Sequence, residues 1–250
     1  DPATGKVLFA SKLWVMESDG SRARQLTTGI TYDDHPSFYS DREHVLYSEI
    51  PVNEFRPGAG ARLIRLDIYT GAKEAVAAEP GCALHQSSIS PIADIIACHH
   101  AGGKRRSEWV GLGPTAYEVN TVATNGVAVP DGIIFMSEKN RGLPEDRREV
   151  ALARIYGHGA QSRVVFLTDD RHLNRRPAIS PNGKLLAWQT NQEDGVDDEI
   201  FLANIDGSNA RNLTKTKGYD GHPWFSRDGK WIAFESSRTG NMEIWRIDLT

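Results

Sequence analysis

The sequence predicts an all-β fold, a β-propeller of six four-stranded antiparallel blades around a central channel, on three observations. One segment recurs along the chain. Its copies are spaced by about one blade's length, and each is followed by short apolar strands joined through glycine-containing turns. No window carries a helical hydrophobic period.

The clearest copies are "HPSFYSDREHVLY" (35–47), "RPAISPNGKLLAW" (176–188) and "HPWFSRDGKWIAF" (222–234), with a fourth, "QSSISPIADIIAC", at 86–98. They begin at 35, 86, 176 and 222, so they are separated by 51, 90 and 46 residues, and the 90 is two periods. An eroded copy, "GVAVPDGIIFM" (126–136), fills the gap and keeps an Asp131-Gly132 turn. The segments after the copies repeat as well. "LWVMESDGSRARQLT" (13–27), "RLIRLDIYTGAKEAVA" (62–77) and "EIFLANIDGSNARNLT" (199–214) each read strand, turn, strand, with turns at Asp19-Gly20, Thr70-Gly71 and Asp206-Gly207. Glycine supplies the positive φ that such tight turns require. "EWVGLGPTAYEVNTVAT" and "EVALARIYGHGAQSRVVFLT" fill the two intervening units. Each unit thus holds four strands, and one small twisted sheet cannot cover both of its faces, so the units must stack and shield one another.

Counting second strands gives six: Val7–Ala10, Val45–Ser48, Ile95–Cys98, Ile133–Met136, Leu185–Trp188 and Trp231–Phe234. The first unit lacks its innermost strand and the last stops before its outermost. Open edges invite aggregation, so the expectation is one propeller domain over residues 1–250, cut from a longer protein.

Composition bounds the partners. The 250 residues are 39% hydrophobic and 25% charged, ordinary for a soluble globular protein. The 29 Lys+Arg against 33 Asp+Glu give a formal charge of −4, so no global field recruits nucleic acid or an anionic membrane. The basic loops at 104–106 and 147–148 are interleaved with Glu108, Glu145 and Asp146 and read as solvated faces. No apolar run approaches the roughly 20 residues that insert across a bilayer. The chain opens at Asp1 without a methionine, which suits processing or truncation and hints at export. Cys82 and Cys98 make no disulfide framework. Pairing Gln86–Ser90 with Ile95–His99 puts Cys98 opposite Gln86, roughly 13 Å from Cys82, too far for a bridge. Reduced, buried thiols are expected.

The "SPNGK" and "SRDGK" turns, the "IAFESSRTGNMEIW" segment and the "DGSNARNLT" and "DGSRARQLT" hairpins resemble the repeats of TolB-type six-bladed propellers. Related repeats occur in oligogalacturonate lyases and in the propeller domains of prolyl-oligopeptidase-like proteins. The resemblance covers essentially the whole chain and implies the fold. The TolB resemblance implies a periplasmic, protein-binding role with a lipoprotein partner, although TolB's preceding α/β domain has no counterpart here. The peptidase resemblance implies a hydrolase domain, and no G-x-S-x-G elbow occurs in the chain.

Propeller topology puts the loops leading into the innermost strands and the loops joining strands two and three on one face, and the "SPNG" and "DGSN" turns on the other. The first face holds the atypical residues: "YDDH" (32–35), "GCALHQ" (81–86), "DDRHLNRR" (169–176) and "GYDGH" (218–222). Irregular charged loops on a rigid scaffold commonly carry binding. His35, Gln86, Arg176 and His222 take equivalent positions just before the innermost strands and should ring the channel mouth. Asp33, Asp34, His85, Arg175 and Asp220 stand one or two residues further out. A ring of His, Asp and Arg suits a polar ligand, while a wet channel needs polar lining in any case.

The leading expectation is a noncatalytic TolB-type binding module that engages a protein or a small polar or acidic ligand there, with no cofactor. The alternative is a polyuronate lyase using the same face: a histidine as general base and Arg175 and Arg176 holding a uronate carboxylate. His85, His99 and His100 could supply imidazoles to a metal, but neighbouring strand residues point to opposite faces and no metal motif joins them, so no metal is assigned.

Overall fold

The structure, a computed structural model, describes residues 10–51, 62–76, 82–83, 95–100, 107–111, 116–119, 123–129, 132–139, 149–156, 163–168 and 170–249. Its strands form six groups in chain order. The first pairs β1 (Trp14–Val15) with β2 (Arg24–Gln25). The second holds β3 (Thr31–Phe38), β4 (His44–Pro51), β5 (Arg62–Asp67) and β6 (Lys73–Ala75). The third holds β7 (Cys82–Ala83), β8 (Ile95–His100), β9 (Ser107–Gly111) and β10 (Ala116–Val119). The fourth holds β11 (Ala123–Val129), β12 (Gly132–Lys139), β13 (Glu149–Tyr156) and β14 (Arg163–Phe166). The fifth holds β15 (Arg175–Ile179), β16 (Leu185–Thr190), β17 (Glu199–Asn204) and β18 (Arg211–Asn212), and the sixth β19 (Asp220–Phe225), β20 (Trp231–Ser236) and β21 (Glu243–Asp248). All ladders are antiparallel between consecutive strands. Among the described residues four sheets are thus complete four-stranded blades, where the sequence predicts six.

Five of the six expected second strands are present as β4, β8, β12, β16 and β20, and the sixth, at 7–10, falls mostly outside the described residues. The eroded copy forms the β11–β12 pair. In the third sheet Cys82 pairs with His100 and Ala83 with His99, so the described partner of β8 is not the Gln86–Ser90 segment, which lies outside the described residues.

Burial explains the stacking. Ile179, Leu186, Trp188 and Phe201 of the fifth sheet share one core cluster with Val127, Ile134 and Leu152 of the fourth. Ala178, Ala187 and Leu202 share another with Phe225 and Ile232 of the sixth. The fifth sheet therefore buries both faces, and β17 is buried over Glu199–Ala203 rather than alternating. Leu13 joins Tyr47, Ile64 and Leu66 between the first and second sheets. β11, β15 and β19 contact one another in series and line the hub.

The turns follow their residues. In the fifth sheet Ser180 Oγ accepts from Leu185 N at 2.9 Å and Asn182 Oδ1 accepts from Lys184 N at 3.0 Å. In the sixth Ser226 and Asp228 hold Lys230 N in the same way, both at 3.1 Å. Gly183 and Gly229 take φ of 69° and 70° there, and the second sheet has Arg42 at that place with φ 67°. No helix among the described residues is long and apolar enough to cross a membrane.

Candidate functional site

His35, Arg176 and His222 do not precede the innermost strands, as the sequence suggests; they lie within them, at β-bulges. The register shifts between Asp34 and Ser37, between Arg175 and Ala178, and between Gly221 and Trp224. All three residues have positive φ, 52°, 52° and 51°, and a proline follows each. A bulge leaves a residue without a ladder partner, so proline's missing N–H is no loss. The same shift occurs in β11 between Thr124 and Val127, which adds Asn125 to the set by register. The bulge also ties sheets together: Arg176 N points to Met136 Sδ at 3.3 Å and His222 N to Gln189 Oε1 at 3.4 Å, each on the preceding sheet.

Arg176 is the centre of the site. Its Nη1 lies 3.0 Å from His35 Nε2, although the two belong to the fifth and second sheets, so this contact crosses the hub. A guanidinium only donates. Nε2 must therefore accept, and the single proton of this neutral imidazole belongs on Nδ1, which lies 2.9 Å from Asp34 Oδ2, close enough for its N–H dipole to favour the carboxylate although the angle is poor for a hydrogen bond. The His35 backbone N–H also donates to Asp34 Oδ1 at 2.8 Å. Burial pushes the Asp34 carboxyl up, but the His35 contacts and the Arg176 charge outweigh it and hold it below its usual range. Burial lowers Arg176, opposed by Tyr219, Asp34 and Glu235.

The other flank is built around His222. Its Nδ1 lies 3.1 Å from Glu235 Oε2 and 2.9 Å from Tyr219 Oη. The hydrogen bond from His222 is the main reason the Glu235 carboxyl is held below its ordinary range, with the charges of His222 and Arg176 adding to it. Burial, then Glu235 and Asp198, push Tyr219 up to about 12. The phenol keeps its proton at neutral pH and donates to Gln189 Oε1 at 3.3 Å, while Gln189 Nε2 donates to Asp198 Oδ2 at 2.7 Å.

The expected residues thus divide. Asp34, His35, Arg176 and His222 come together at the hub. Arg175 turns to Asp198, Nη1 to Oδ2 at 3.8 Å. Asp33 and Asp220 are 3% and 0% exposed and have internal partners: Lys12 Nζ at 3.2 Å from Asp33 Oδ2, and Arg238 Nη2 at 3.1 Å from both oxygens of Asp220, with Thr216 Oγ1 at 2.7 Å. Asn174 holds the equivalent place in the fifth sheet, 1% exposed, and accepts from Trp188 Nε1 at 2.9 Å. His85 and Gln86 lie outside the described residues, and of His99 and His100 only the backbone is described. Among the described residues no group of three or more His, Cys, Asp or Glu is placed to hold a metal. Sequence reasoning missed Tyr219, Gln189 and Glu235. Gln189 and Glu235 share one column with Ser48 across the aligned copies, and each pairs with the residue before a bulge.

Comparison with known proteins agrees with this architecture. Residues 145–250 match the TolB beta propeller domain. A TolB homologue from Chlorobium luteolum is 28% identical over 123 aligned residues, covering 33% of this chain and 28% of that protein. The crystal structure of TolB from Acinetobacter baumannii superposes with a TM-score of 0.73 at 17% identity, over 95% of this chain and 57% of that one. An oligogalacturonate lyase from Vibrio parahaemolyticus superposes with a TM-score of 0.58 at 14% identity, over 96% of this chain and 72% of that one. The chain therefore spans less than two thirds of either TolB relative. At these identities the superpositions speak to fold alone. Residues 145–250 are thus TolB beta propeller repeats, and the chain is an all-β propeller.

Proposed function

We propose that the chain is a noncatalytic binding module of TolB type, a six-bladed propeller acting outside the cytoplasm. It engages a protein or a small polar or acidic ligand where Asp34, His35, Arg176 and His222 meet. The observation that carries this reading is convergence: three residues from three sheets, each in a positive-φ bulge, with Arg176 reaching across the hub to His35. Strained backbone of this kind costs about 1–3 kcal/mol per residue and concentrates at ligand sites. Six blades are supported by the order of the sheets, four complete ones lying between a two-stranded and a three-stranded group. The extracytoplasmic location and the protein partner rest on the TolB-type repeats.

Chemically, Arg176 offers a fork for a carboxylate, and His222 and Tyr219 offer hydrogen bonds beside it. An incoming carboxylate would take the guanidinium from His35, whose Nε2 is then free to bind a hydroxyl or amide of the same ligand.

One observation favours the lyase alternative. His222 Nδ1 is oriented by Glu235, and its Nε2 has no partner among the described residues, the arrangement of a general base next to an arginine. A single experiment separates the two. The chain and its His35→Ala/Arg176→Met/His222→Ala variant are titrated calorimetrically with oligogalacturonates and with soluble ectodomains of outer-membrane lipoproteins, while ultraviolet absorbance follows unsaturated products. Binding without product, lost in the variant at an unchanged melting temperature, supports the module. Product formation lost in His222→Ala supports the lyase. Binding that survives the triple variant refutes both.

A further inference from the structure

We propose that the opposite end of the hub is a second binding site, for a small aromatic anion. A cavity of about 580 Å³ opens where the innermost strands turn into their second strands, lined by Phe38, Trp224, Trp231, Ile179, Arg42 and Arg227 among others. That volume falls within the range of small-molecule sites, about 300–1,000 Å³. The cavity is distinct from the polar cluster: Phe225 is three residues beyond His222 on the same strand, about 10 Å further along it.

Two features make this more than a gap between blades. First, aromatic side chains face open space where equivalent ones are buried. Trp224 is 42% exposed, and its counterparts Ser37 and Ala178 are each 4% exposed. Phe38 is 48% exposed, and its counterparts Ile179 and Phe225 are 2% and 6%. Second, Arg42 and Arg227 are the only charged side chains among the described residues of the lining, and no carboxylate of the described residues forms an ion pair with either. Arg42 is held at φ 67°, a backbone state that the two aligned repeats give to Gly183 and Gly229. An arginine is thus kept where glycine would be less strained, and its side chain is at the cavity.

Exposed tryptophan and phenylalanine faces take a flat apolar body by stacking. Guanidinium groups at the rim take a carboxylate or sulfonate, and they also stack on aromatic planes. With two cations and no anion among the described lining residues, the site selects an aromatic ligand with a negative group over its neutral analogue.

The test uses two fluorescent probes on one scaffold: 1-anilinonaphthalene-8-sulfonate and the uncharged N-phenyl-1-naphthylamine. The folded chain should bind the sulfonate at one site and at least about tenfold more tightly than the neutral dye, the usual weight of a charge-assisted contact. Arg42→Gly should raise the melting temperature and yet weaken sulfonate binding, and the Arg42→Gly/Arg227→Gln variant should abolish the preference while leaving the neutral dye unchanged. Trp224→Ala should weaken both dyes. The His35→Ala/Arg176→Met/His222→Ala variant should bind both dyes normally. Equal affinity for the two dyes, sulfonate binding at many sites, unchanged binding in the double arginine variant, or loss of binding in the triple hub variant would each overturn the proposal.

Discussion

The pair Asp220–Arg238 gives the sharpest test of how the innermost strands are held. Asp220 is fully buried, and both of its oxygens face Arg238 Nη2 at 3.1 Å while Thr216 Oγ1 donates at 2.7 Å. Breaking a buried ion pair from one side typically costs about 3–5 kcal/mol, because the surviving charge is stranded. Arg238 keeps 23% of its side chain exposed and lies over the rings of Phe234 and Trp245, with Cζ 5.1 and 4.8 Å from their centroids. Its charge is therefore only partly stranded, and Asp220→Ala is expected to cost about 3 kcal/mol, the lower end of that range. For a chain of this size that corresponds to a fall in Tm of about 6–12 °C. Asp220→Asn should cost only about 1 kcal/mol, since it keeps an acceptor for Thr216, and Asn174 already holds this position in the fifth sheet. Urea unfolding followed by far-UV circular dichroism measures each loss. Adding Arg238→Met to Asp220→Ala should recover part of it, with a coupling of about 1–2 kcal/mol. A loss below about 1 kcal/mol for Asp220→Ala, or strict additivity with Arg238→Met, would refute the reasoning that the pair is a coupled internal anchor.

Three further outcomes are expected. His222→Gly should be about 1 kcal/mol more stable than His222→Ala, because φ of 51° disfavours any Cβ; equal melting temperatures would remove strain as a feature of the bulge. Gly221→Ala puts a Cβ against Tyr219 Oη and Gln189 Oε1, the far ends of two side chains that can swing away. It should therefore leave stability within about 1 kcal/mol while abolishing ligand retention at the hub, and retention at the parental level would exclude Tyr219 from the site. The Asp34 and Glu235 carboxyls are held below their ordinary values, so their contribution to stability is complete above the unfolded carboxylate range of about 4 and is lost as pH falls through the lower folded values. Glu199, raised by burial, acts in the opposite sense. Urea midpoints measured from pH 6 down to pH 2.5, roughly, should fall less steeply in Asp34→Asn/Glu235→Gln than in the parent, and identical acid limbs would be the contrary result.

Much of the fold was legible because the repeat sets local chemistry at each step. The Ser180-x-Asn182-Gly183 and Ser226-x-Asp228-Gly229 turns satisfy their own backbone groups, so their strands could be placed from the sequence. The bulges were not legible in that way. A bulge at His222 depends on Gln189 of the preceding sheet accepting the freed N–H, a contact 33 residues away in sequence. For the same reason Asp33 and Asp220 read as mouth residues: nothing local shows that Lys12 and Arg238 meet them inside the strand layer. The sequence alone carries no signal that Trp224 and Phe38 are uncovered, since an apolar residue on an inner strand is normally buried, and only the three-dimensional arrangement shows their faces exposed.

The copies serve as an internal comparison that separates scaffold from site. Where they agree, a physical requirement recurs: the proline after the bulge residue in the second, fifth and sixth sheets, and the buried Asp33, Asn174 and Asp220 two residues before it. Where they differ in charge or size, the positions gather at the two ends of the hub. His35, Arg176 and His222 fill one column, and Ser48, Gln189 and Glu235 another, all at the polar end. Ser37, Ala178 and Trp224, with Arg42, Gly183 and Gly229, fill two columns at the aromatic end. A ring built only for stability would gain nothing from arginine at a glycine position or tryptophan at an alanine position, since the first adds strain and the second leaves apolar surface in water. Departures that cost stability yet cluster in space are what a binding function leaves in a repeat, and here they mark two separate ends of one channel.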